Sequence, residues 1–330
     1  MHTLNRVAAG AAFLGLSPFV LALTVPGPVV DDAWLAAHRN EVTVLDVRPN
    51  AKSFTAAPQF EVDKKSGQKF LVELGGHIGG ATLVDNKKVR TERTINGVKL
   101  KGMIPEKADF EKLVRSWGVQ ADKPIVIVSA GMDPMDFNDA SRLFWQFKVY
   151  GEDNIAVLNG GTAGWIASGN VYGNVPVAPA AGNWVARSDR SGEFTATSQD
   201  VVNAQKGGSV QLIDARSDPF YLGLSVAAPT VTAPGHIAGA KNLFTGLMST
   251  AGGHDASKLR SVAAYKDMFE MSGLNGQAPA ITYCNTGHQA SGTWFVMTQI
   301  LGNKHVKLYD GSMHEWSVEK RPTVAVAGSK

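Results

Sequence analysis

The chain has 330 residues, 44% of them hydrophobic and 18% charged, with a formal net charge of +3. That length exceeds one ordinary domain and that balance supports a packed core, so two globular domains are expected and a nucleic-acid partner is not. A single cysteine and eight histidines without metal-ligand spacing exclude a disulfide framework and a thiolate cage, so no metal and no cofactor is expected.

In chain order, residues 1–6 are positively charged, residues 7–23 are apolar, and Val20-Leu21-Ala22 supplies the small residues of a peptidase site. This is the pattern of a secretory leader over residues 1–22, which implies a periplasmic or secreted protein without stable membrane insertion after cleavage. An uncleaved anchor is the alternative. Residues 42–47, 125–128 and 155–158 read as strands, and 107–117 and 139–149 as helices. The basic cluster from Asp85 to Arg93, interrupted by Glu92, reads as a solvated hairpin or loop. Residues 171–190 lack periodicity and carry Val175-Pro176-Val177-Ala178-Pro179, so they read as a linker between domains at 30–170 and 191–325. In the second domain 210–214, 280–283 and 306–309 read as strands, and 257–271 and 290–301 as helices. Such alternation predicts an α/β fold, each domain a mostly parallel sheet with helices on both faces and its ligand site beyond the carboxyl ends of the strands.

Cys284 follows strand 280–283 and precedes helix 290–301. It is therefore expected at a strand tip, in the loop Asn285-Thr286-Gly287-His288-Gln289-Ala290. Peptide N–H groups converge there and the helix dipole favours negative charge, so a thiolate would be stabilised. In an exported chain an odd cysteine is a reactive thiol or an intermolecular bridge.

The two halves repeat one another. Val44-Leu45-Asp46-Val47-Arg48 matches Leu212-Ile213-Asp214-Ala215-Arg216, and Gly76-His77-Ile78-Gly79-Gly80-Ala81 matches Gly235-His236-Ile237-Ala238-Gly239-Ala240. Pro124 to Ser129 matches Pro279 to Cys284, and Leu158-Asn159-Gly160-Gly161 to Trp165 matches Tyr309-Asp310-Gly311-Ser312 to Trp316. Matches in one order point to a duplicated domain.

These motifs, twice in the same order over about residues 31–321, resemble the tandem rhodanese family of thiosulfate and 3-mercaptopyruvate sulfurtransferases. The resemblance implies two rhodanese-like domains with one catalytic cysteine, Cys284, and Ser129 in its place makes the first half an inactive partner. It also implies that Cys284 takes the outer sulfur of a donor as a persulfide and passes it to a thiol or other thiophilic acceptor. The loop Asn285 to Ala290 would wrap that sulfur with N–H groups, turning at Gly287, while His288 either steadies the thiolate or faces solvent. Asp214 and Arg216 would fix the loop end as an ion pair, His77 and His236 would cap backbone groups, and Asp310 with Trp316 would support the rim.

The thiosulfate-using members of the family carry cations where this chain has Thr286 and Phe220, so the loop is expected to be formally neutral and the donor is left open. Cysteine phosphatases of the same fold need Arg at the position of Ala290, which sets that reading aside. The remaining alternative is a non-enzymatic sulfane-sulfur carrier or interaction module.

Overall fold

A computed structural model describes residues 23–250 and 256–327; the predicted leader, residues 1–22, lies outside them. Short β-branched runs form the strands. Ile125–Val128 and Ile155–Leu158 are buried on both faces, as a sheet covered by helices on both sides demands. The first sheet runs Val29–Val30, Ile155–Leu158, Ile125–Val128, Thr43–Arg48, Thr82–Asp85, with every neighbour parallel. The second runs Thr195–Ala196, Val306–Tyr309, Ala280–Tyr283, Gln211–Asp214, Lys241–Asn242, again all parallel. The strand order is the same in both, so the duplication holds in topology as well as in motif.

The halves meet through two helices. Every residue of Phe137–Val149 except Lys148 is buried, because one face covers its own sheet and the other covers the second half. Against it lies Ala290–Phe295, the helix that follows the cysteine loop. Phe144 and Phe295 meet edge to face at 4.8 Å, and the hydroxyls of Ser141 and Ser291 lie 2.9 Å apart. Gly292 permits the close approach: a Cβ there would sit 2.5 Å from Asn138 Oδ1. One hydrophobic cluster runs through both halves, including Leu143, Phe144, Trp145, Trp294 and Phe295.

Two expected helices differ. The helix expected over 257–271 begins at Val262, capped by Ser261. The residues before it cross instead to the first half, where Ser257 N donates to Gly131 O at 2.9 Å and Leu259 N to Asn159 Oδ1 at 2.9 Å. The helix expected over 290–301 is α-helical for Ala290–Phe295 and a π-helix for Val296–Ile300. The linker has no regular structure after Tyr172–Gly173. It is nevertheless pinned by buried Trp184, whose Nε1 donates to Glu152 Oε2 at 2.9 Å and whose ring meets Phe110 and Phe147 edge-on.

Candidate active site

The central strand Ala280–Tyr283 delivers Cys284 to its carboxyl end, where the residue is buried with 1% of its surface exposed. Beside it, Asp214 holds Arg216 as a buried ion pair at 2.6 Å, and Arg216 reaches Gly235 O at 2.8 Å and Asn285 Oδ1 at 3.4 Å. The first half repeats the device: Arg48 pairs with Asp46 at 2.6 Å and donates to Gly76 O at 2.7 Å. The Asp-x-Arg motif thus ties a strand end to the Gly-His segment in both halves. His77 and His236 also behave alike, stacking on Phe54 and Tyr221 and bonding through Nδ1 to those residues' carbonyls at 2.8 Å.

The cysteine loop turns at Gly287, whose φ of +71° and whose contacts both demand glycine. A Cβ there would lie 2.6 Å from Asp310 O and 2.7 Å from Asp310 Oδ1. Ser312 is the residue that the motifs underplayed. Its hydroxyl accepts from Cys284 N at 3.1 Å and Gly287 N at 3.0 Å, and donates to Tyr309 O at 2.7 Å. To do so it holds a left-handed φ of +50°, where its counterpart in the first half is Gly161. Two loop amides are therefore committed to Ser312. Those of Asn285, Thr286, His288 and Gln289 meet no acceptor among the described residues. Ala290 opens the following helix.

The first half completes the site. Arg142, fully buried, donates from Nη1 to Asp310 Oδ1 at 2.6 Å and to Gly287 O at 3.0 Å, while its guanidinium lies over Trp145. Asp310 also accepts from Ile104 N at 2.8 Å, so with Arg142 it joins the Cys284 loop to the hairpin 91–103 of the other half. Arg90 Nη1 donates to Thr286 Oγ1 at 3.2 Å. Asp139 accepts from Asn86 at 2.7 Å and from His288 Nε2 at 3.0 Å.

Two expectations are corrected. The loop is not without cations, since Arg90 and Arg142 stand beside it. Both lie far away in sequence, and Arg90 belongs to the cluster expected to be solvated; in that cluster Lys87 and Lys88 are exposed, but Asn86 and Arg90 turn inward. His288 is largely turned away from solvent, with 17% of its side chain exposed. Burial, with the two guanidinium groups against it, holds its pKa below the usual imidazole value despite the Asp139 bond, so it is neutral at pH 7 with its proton on Nε2. The signal available beforehand was the repeat itself. Asn86 to Arg90 follow strand Thr82–Asp85 and reach the Cys284 loop; Ser257 to Leu259 lie beyond strand Lys241–Asn242 and reach the Ser129 loop. Each half caps the other.

These features define a two-domain α/β protein with one buried thiol in a polar loop built across its halves. The rhodanese-like domain family matches residues 30–168 and 197–319, so the chain belongs to that family, in two copies, and is a sulfurtransferase. It is 26% identical over 303 residues to the thiosulfate sulfurtransferase of Bos taurus, covering 92% of this chain and 96% of that one. It is 29% identical to the sulfur carrier protein TtuD of Thermus thermophilus, over 73% of this chain and 82% of that one. Among solved structures it resembles the 3-mercaptopyruvate sulfurtransferase SseA of Escherichia coli, with a TM-score of 0.68 and 24% identity over 87% of this chain and 98% of that one. It also resembles the anaerobic ergothioneine biosynthesis enzyme of Chlorobium limicola, with a TM-score of 0.67 and 19% identity over 90% and 70% of the two chains.

Proposed function

We propose that Cys284 carries the transferred sulfur as a persulfide, in a chain exported by the leader at residues 1–22. The thiolate attacks the outer sulfur of a donor. With thiosulfate the S–S bond breaks, its electron pair leaves with sulfite, and Cys–S–S⁻ remains. With 3-mercaptopyruvate the C–S bond breaks instead, and the thiol proton ends on the carbon of the departing pyruvate enolate. A thiol acceptor then attacks the outer sulfur and releases the Cys284 thiolate, which is a two-step exchange. The observation that carries this reading is the position of Cys284 below a loop whose amides at Asn285, Thr286, His288 and Gln289 have no other acceptor among the described residues. An anion held there would collect several N–H bonds in a site shielded from water.

Mass measurement of the intact protein after incubation with thiosulfate, 3-mercaptopyruvate or polysulfide tests it. The expected result is a gain of one sulfur atom that Cys284→Ser abolishes; no gain with any donor removes the proposal. The likeness to a sulfur carrier protein motivates a second measurement. A loaded protein that thiols discharge catalytically is an enzyme, and one that stays loaded is a carrier. N-terminal sequencing of the mature protein tests export, with cleavage expected after about Ala22.

A further inference from the structure

Resting on the sulfurtransferase reading of Cys284, we propose that Arg90, supplied by the half of the chain that lacks a cysteine, is the residue that recognises the anionic head group of the sulfur donor. Arg90 lies between the turn Asn86–Lys88 and the strand Thr91–Ile95, and touches the catalytic loop through Thr286, two residues beyond Cys284. Among the described residues no carboxylate stands within ion-pair distance of it, and its buried Nε has no hydrogen-bond partner.

The negative charges around it are already answered. Asp310 is engaged by Arg142 and by Ile104 N, and Asp139 by Asn86 and His288. Arg142 also leaves its buried Nε without a partner, but its charge is answered by Asp310, and its Nη atoms also reach Gly287 O and Gly102 O. Arg90 is therefore the surplus cation beside the thiol. Burial, and then the Arg142 guanidinium, disfavour its charge, while Cys284, Asp310 and Asp139 favour it. A guanidinium stays charged under such pressure, and an oxyanion that offers two oxygens side by side is the partner that its fork of donors matches. The backbone makes room for this contact. Gly102, at φ +79°, would place a Cβ 3.1 Å from Arg90 Nη1 and 3.2 Å from Thr286 Cβ. The occupant is thus an oxyanion close in bonds to the attacked sulfur: a sulfonate, as in thiosulfate, or a carboxylate, as in a mercapto acid.

Because Cys284 is the lone thiol, its alkylation reads the site directly. Rate constants for anionic iodoacetate and neutral iodoacetamide are measured on the full chain as wild type, Arg90→Gln and Arg90→Lys, with N-acetylcysteine as the reference thiol. The wild-type preference for iodoacetate over iodoacetamide should exceed the reference, and Arg90→Gln should lower it by about tenfold, the scale of one lost charge-assisted bond. Arg90→Lys should keep part of it, and inorganic sulfate should slow iodoacetate on the wild type. Equal preference in wild type and Arg90→Gln overturns the proposal. If Arg90→Gln does not fold, absence of sulfate protection in the wild type overturns it by itself. Sulfur loading then separates the head groups: a raised KM for thiosulfate alone marks a sulfonate site, and for 3-mercaptopyruvate alone a carboxylate site. A charge preference without loading from any donor would leave the anion site standing and remove the sulfurtransferase reading.

Discussion

The imidazole of His288 donates from Nε2 to Asp139 Oδ1 at 3.0 Å, and its Nδ1 is buried without a partner. Burial first, and then the Arg90 and Arg142 guanidinium groups, disfavour its charged form and hold its folded pKa below the unfolded value of 6.5. The unfolded chain then binds the proton first as the pH drops. The contribution to stability is complete well above pH 6.5 and is lost as the pH falls through the unfolded value toward the folded one. His288→Asn should therefore flatten the loss of stability on acidification relative to the wild type. Urea midpoints measured from about pH 8 to about pH 5 check this, the range that an imidazole titration spans. Parallel profiles would remove His288 from the pH dependence, since His314, also shifted down by burial, is present in both proteins. At this scale the sequence disclosed the thiol but not its neighbours. Cys284 is conspicuous as the lone cysteine on a strand end, whereas Asn86, Arg90, Asp139 and Arg142 become neighbours only when two distant segments fold together.

The turn between strand Val306–Tyr309 and helix Ser312–Val318 carries the clearest difference between the two copies. In both, the helix start hangs from the loop: Met313 N and His314 N donate to Cys284 O and Asn285 O, as Thr162 N and Ala163 N donate to Ser129 O and Ala130 O. The first copy makes this turn with two glycines at positive φ, Gly160 and Gly161, and the second has Ser312 at the latter place. Relief of the left-handed strain in Ser312→Gly returns about 1–2 kcal/mol. Against it stand two buried amides stripped of their acceptor, each at about 1–3 kcal/mol, and the added backbone entropy of glycine. The variant is expected to unfold at lower temperature by calorimetry and to take up sulfur more slowly by mass measurement. An equally stable, equally fast variant would show the hydroxyl to be idle. Elements of this kind were legible in outline. Strands such as Ile125–Val128 and Ala280–Tyr283 announce themselves as apolar runs and lie where expected. The segment before Val262 did not, because an extended stretch bonded to Gly131 and Asn159 answers to its contacts across the interface rather than to any period of its own.

At the scale of the molecule, the duplication has a physical use beyond symmetry. The half without a cysteine covers the Cys284 loop with Arg90, Asp139 and Arg142, and the half that carries the cysteine closes the Ser129 loop with Ser257 and Leu259. Neither half buries its own interface helix alone. Removing residues up to Gly182 would strip Phe137–Val149 from Ala290–Phe295 and expose apolar surface at Phe295 and Val296, both 0% exposed in the whole chain. It would also leave Asp310 without Arg142 and Ile104, and His288 without Asp139. An apolar patch joined to unpaired buried polar groups drives association and destabilises the remaining fold. The fragment beginning after Gly182 is therefore expected to be insoluble, or soluble but unfolded by circular dichroism. Adding the first half as a separate chain is expected to restore both fold and sulfur loading, because the contacts that complete the site are noncovalent. A monodisperse fragment that loads sulfur as fast as the full chain would mean that the second half holds a complete site, and that the first half is not needed to build it.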